Sequence, residues 1–116
     1  MPERINREKL YTTVACVSSL LADQNYKALN KFNSRMTANE IKKAIEDYGR
    51  TPVPLPKKGL SGVSVVEIKS SSPTRWSVWV PVYTKEEGMS DLTLELTLID
   101  SNTDLYGIEI DDLHVL

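Results

Sequence analysis

The chain has 116 residues, of which 41% are hydrophobic and 26% charged, with a net charge of −2. Those proportions describe one globular domain able to bury a core without disulfides or structural metals, and they exclude a disordered chain. No apolar stretch approaches the length of a membrane span, and the acidic balance disfavours direct binding to nucleic acid.

The opening Met-Pro-Glu-Arg-Ile-Asn-Arg-Glu-Lys is charged and has no signal-peptide apolar run behind it. With one unpaired cysteine this predicts a cytoplasmic protein. From Asn6, a plausible N-cap, to Ala22, Leu10, Val14, Val17 and Leu21 recur at helical spacing. Cys16 lies inside this run and is expected to be an inert core thiol, because no base or electropositive setting accompanies it. Asp23 reads as the end of this helix and the cap of a short second one carrying Tyr26, Leu29 and Phe32. The third helix has the clearest signal. Thr37 and Glu40 form a capping box, Ile41, Ala44, Ile45 and Tyr48 make the stripe, and Gly49 ends it.

Residues 50–60 are a proline-rich connector, with Pro52, Pro54 and Pro56 favouring an extended strut and Val53 and Leu55 free to dock on a core. Strands follow over about 61–116. Ser61–Lys69 is valine-rich, and Trp76, Val78, Val80 and Val82 alternate with Ser77, Trp79, Pro81 and Tyr83. Leu92, Leu94, Leu96 and Leu98 alternate with Thr93, Glu95 and Thr97, and Tyr106–Leu116 closes the chain. Pro81 suggests an edge strand. Helices over about 6–49 followed by strands predict a single α+β domain over 1–116. About three N-terminal helices should pack on a mainly antiparallel sheet of about four strands, with the leucine and valine rows facing them. This order is similar to the cystatin-like or NTF2-like shape, a likeness of fold that carries no function.

Three stretches, Ala44-Ile-Glu-Asp-Tyr-Gly-Arg-Thr-Pro-Val-Pro54, Arg75–Leu98 and Ile108-Glu-Ile-Asp-Asp-Leu-His-Val-Leu116, resemble a family of small uncharacterised bacterial proteins. The resemblance implies a bacterial origin and one domain, and it supplies no active site.

Chemistry has few footholds. One histidine, one cysteine and no H-x-x-x-H or C-x-x-C pair argue against zinc, and no phosphate-binding glycine pattern occurs. No catalytic residue, metal or cofactor is therefore expected. Strand alternation sends Glu109 and Asp111 to one face and Asp112 to the other, which also weakens a calcium site. His114, placed by alternation with Ile108, Ile110 and Asp112, is the best acid–base candidate and could sit at the mouth of an NTF2-like pocket that binds or converts a small molecule.

Charge is the most informative feature. Residues 1–85 hold all 14 Lys and Arg against seven acids, a net of +7, whereas residues 86–116 hold nine acids and neither Lys nor Arg, a net of −9. The bland explanation is pairing between the two halves or ordinary acidic turns. The functional one is an acidic face formed by Glu95, Glu109, Asp111 and Asp112, with Trp79 and Tyr83 as aromatic anchors, that captures a basic protein partner. The leading expectation is a non-enzymatic immunity protein that neutralises a basic, nuclease-like bacterial toxin. It would act as a monomer, or as a homodimer through the open sheet face.

Overall fold

A computed structural model describes residues 5–116; residues 1–4, which open the charged N-terminal stretch, lie outside the described residues. Helix α1 spans Arg7–Ala22, and the Asn6 side chain accepts from the Lys9 N–H at its start. Its face of Leu10, Thr13, Val14, Val17 and Leu21 is buried. Cys16 lies beside that face and is half-buried, so it is less enclosed than its apolar run suggested. Asp23 closes α1, but the second helix begins later than expected. Gln24 takes a left-handed φ of 59°, and Asn25 caps α2 (Tyr26–Lys31) by accepting from the Ala28 N–H. Helix α3 spans Ala38–Tyr48 with both arms of the Thr37–Glu40 capping box formed, and it ends at Gly49, whose φ of 75° suits a residue without a Cβ.

The strands are β1 (Asn33–Ser34), β2 (Pro52–Val53), β3 (Ser64–Ile68), β4 (Arg75–Thr84), β5 (Gly88–Ile99) and β6 (Gly107–Val115). They form one six-stranded sheet of order β1-β6-β5-β4-β2, with β3 also paired to β4. Every pairing is antiparallel except β1 with β6. The two strands beyond the expected four are two-residue segments too short for periodicity to reveal. Both come from stretches without strand character: the exit of α2, and the proline connector, whose later part forms a 3₁₀ turn at Lys57–Gly62. Pro81 does not mark an edge strand. β4 is flanked by β5 on one side and by β3 and β2 on the other. Pro81 falls between the residues paired to β3 and those paired to β2, where its missing N–H leaves no ladder bond unmade.

Alternation decides what the helices cover. Trp76, Val78, Val80 and Val82 of β4 and Leu92, Leu94, Leu96 and Leu98 of β5 are buried in one core with the stripes of α1 and α3, together with Leu29 and Leu55. The Trp76 and Tyr106 rings meet at 5.1 Å in this core. Buried Thr13 accepts the Tyr106 N–H, and the Tyr106 hydroxyl accepts the Asn6 N–H, which ties the start of α1 to the approach to β6. The helices therefore take one sheet face and leave the other open. No described helix is long and apolar enough to cross a membrane.

Candidate functional site

The open face is built from the alternate residues of the same strands. Cross-strand register aligns Trp79 of β4, Glu95 of β5 and Asp112 of β6 in one row, with Thr93 and His114 paired in the next. One step along the sheet, Ser77 and Thr97 pair, and Glu109 faces Thr97 from β6.

The arrangement on β6 differs from simple alternation. Glu95 pairs with Asp112 but Leu96 pairs with Ile110, so Asp111 is the extra residue of a β-bulge. The bulge shifts the phase of the strand by one residue. Asp112 and His114 therefore join Glu109 and Asp111 on the open face, where unbroken alternation put Asp112 opposite Glu109. Leu113 turns inward beside Leu94. Ile110 is also buried, so His114 lies on the opposite side from the core isoleucine with which alternation grouped it. A carboxylate and the histidine do meet, but on the outer face. Trp76 and the leucine row fill the helix-covered side, where an NTF2-like pocket would have to open. His114 also borders a surface groove with Ala44, Asp47, Tyr48, Leu92, Leu113 and Val115, at the rim between α3 and the end of β6.

The expected acidic residues divide into two groups. Glu109 and Asp111 have partners within the chain. The Arg75 guanidinium donates to Glu109 Oε2 at 3.1 Å, and Asn33 Nδ2 lies at 3.4 Å from the same oxygen. Asp111 accepts the Thr97 hydroxyl at 2.7 Å, and Arg35 Nε approaches its other oxygen to 3.8 Å. Glu95 and Asp112 face no Lys or Arg among the described residues. Each carboxylate instead has an oxygen 3.2 Å from Nδ1 of His114. Neither contact has hydrogen-bond geometry, and Nδ1 is enclosed without a hydrogen-bond partner. The Trp79 ring meets the His114 ring edge-on, with centroids 6.0 Å apart.

Trp79 and Tyr83 also differ. Trp79 is 39% exposed. Tyr83 is half-buried and lies against the 3₁₀ turn, so close to Gly59 that a Cβ there would come within 2.9 Å of the tyrosine ring. Trp79 is thus the more available anchor. Beside it, on β3, Val66 is 65% and Ile68 38% exposed, which extends an apolar strip along the same face.

Three other acids of the last segment have partners elsewhere in the chain. Glu86 accepts both the N–H and the hydroxyl of Thr51, and those two hydrogen bonds hold its carboxyl below the usual range. Glu87 accepts the Tyr48 hydroxyl. Asp100 accepts the Ser101 N–H in the β5–β6 connection. Of the chain's negative half, the concentrated part is the Glu95–Asp112 pair beside Trp79. The sequence held a signal for half of this: alternation on β4 and β5 placed Trp79 and Glu95 together. The convergence of Asp112 and His114 on them depends on the bulge, which leaves no local mark.

No curated protein and no solved structure matches this chain. A model of the family described as "Domain of unknown function (DUF7668)" matches residues 18–116, which include every residue of the open-face cluster, and the chain belongs to that family.

Proposed function

We propose that this protein is a non-enzymatic binding module that captures a cationic protein on its open sheet face, in the manner of an immunity protein neutralising a basic bacterial toxin. One observation carries the reading: exposed Trp79 stands beside Glu95 and Asp112, two carboxylates without an Arg or Lys partner among the described residues, on a face the helices do not cover. A half-exposed indole supplies a large, stiff contact surface at low entropic cost, and anchors of this type dominate interface energetics. Carboxylates at its border raise the encounter rate with a basic partner and reject acidic ones. Glu109 and Asp111 contribute less than their charge suggests, because Arg75 and Arg35 already stand beside them.

The test is protection. Any basic toxin domain encoded beside the gene is co-expressed with the chain, and growth is followed with and without the combined substitution W79A/E95K/D112K. Protection by the native chain, lost in the triple variant while its circular dichroism is unchanged, is the expected outcome. Protection that survives the triple variant removes this face from the reading, and a toxin that the native chain does not neutralise removes the immunity role.

A further inference from the structure

The cluster on the open face holds more than charge. Glu95, Asp112 and His114 each place one ligand atom within 4.8 Å of the other two. Both Nδ1-to-carboxylate distances are 3.2 Å. For tetrahedral ligation at bond lengths of about 2.0–2.1 Å, neighbouring donor atoms stand roughly 3.3 Å apart, so the two imidazole–carboxylate spacings suit one ion, and the two carboxylates lie within 4.8 Å of each other. A hydrogen bond would span a similar distance, but Nδ1 makes none to either oxygen and is shielded from solvent. Two carboxylates converging on one unpartnered imidazole nitrogen are satisfied by positive charge placed between them.

We propose that Glu95, Asp112 and His114 bind a single divalent transition-metal ion of the zinc class. The ligand chemistry makes the choice. One imidazole nitrogen with two carboxylate oxygens suits zinc and its first-row neighbours, whereas calcium and magnesium take all-oxygen shells. No thiolate is present in the cluster, which disfavours softer ions such as Cu(I). The three side chains come from two adjacent antiparallel strands: Glu95 and Asp112 are directly paired, and His114 is two residues further along β6. Strand pairing thus preorganises the donors on rigid backbone, and the Asp111 bulge brings Asp112 and His114 to the face Glu95 occupies. Three protein ligands leave at least one coordination position to solvent or to a partner's side chain.

The site does not depend on the partner proposed above, and it is tested on the isolated chain. Isothermal titration with zinc chloride should give one saturable site per chain, and magnesium chloride should give no binding heat. H114A, E95Q and D112N should each weaken zinc binding by at least about tenfold, since even outer-shell substitutions at metal sites cost that much. C16S should leave it unchanged. As His114 is the chain's one histidine, its imidazole resonances give a direct second readout and should shift on zinc addition. E95Q keeps the test meaningful even if H114A folds poorly. Absence of saturable binding, or binding that E95Q and D112N leave intact with His114 resonances unmoved, overturns the proposal. Neither result bears on the protection assay, so the two ideas fail separately.

Discussion

Single side chains decide how the ends of the sheet are fastened. Glu86 sits in the three-residue loop between β4 and β5 and reaches across to Thr51, accepting its N–H and its hydroxyl, both at 2.8 Å. This joins the start of the proline connector to the hairpin, next to the pairing of β2 with β4. The two hydrogen bonds favour the ionised form and lower the carboxyl below its usual value. The sign follows: with the folded value depressed, the clamp's contribution is present above the unfolded carboxylate range and is lost as pH falls through the lower, folded value. The Glu86 carboxyl, followed by NMR, is expected to titrate below an unperturbed glutamate. Exchange protection of the Thr51 amide should fall over the same interval, and an ordinary midpoint would mean the clamp does not form in solution.

At the level of elements, the 3₁₀ turn is held by how closely it approaches the sheet. Gly59 is buried, and a Cβ at this position would come within 2.7 Å of the Leu55 side chain and 2.9 Å of the Tyr83 ring. Leu55 is itself in the core, so it has little room to yield. G59A is therefore expected to cost about 1–3 kcal/mol, the usual penalty for overpacking, measured by urea denaturation. An unchanged midpoint would show that the turn shifts freely. The same closeness explains why Tyr83, although on the outer row by alternation, is a weaker anchor than Trp79. Helix α3 was fully legible by contrast, because its capping box and terminal glycine act within a few residues of their own positions.

Across the whole molecule, the two sheet faces carry different duties and should respond differently to substitution. Leu96 is fully buried on the helix-covered face, and L96A is expected to destabilise by about 2–5 kcal/mol. Val66, 65% exposed on the open face, should tolerate V66A within about 0.5 kcal/mol. Paired denaturation curves check both values. Equal losses would mean that something covers the outer face, as in a dimer of this chain. The division of charge along the sequence is likewise partly absorbed by the fold. Arg75 and Arg35 come from the basic part and meet Glu109 and Asp111, while Glu95 and Asp112 have no Lys or Arg partner among the described residues and converge on His114.

By itself the sequence determined the α+β class, the faces of α1 and α3, and the burial of the valine and leucine rows. Each of those follows from periodicity or a cap, and the hydrophobic effect acts on that pattern wherever the chain runs. Tertiary structure alone decided the rest. β1 and β2 exist only because partners on β6 and β4 satisfy their backbone groups. The bulge at Asp111 arises from the register between β5 and β6, and one residue of register moves every later side chain to the other face. Glu95 and His114, far apart along the chain, become neighbours through that pairing, which is why the open-face cluster could not be read from spacing.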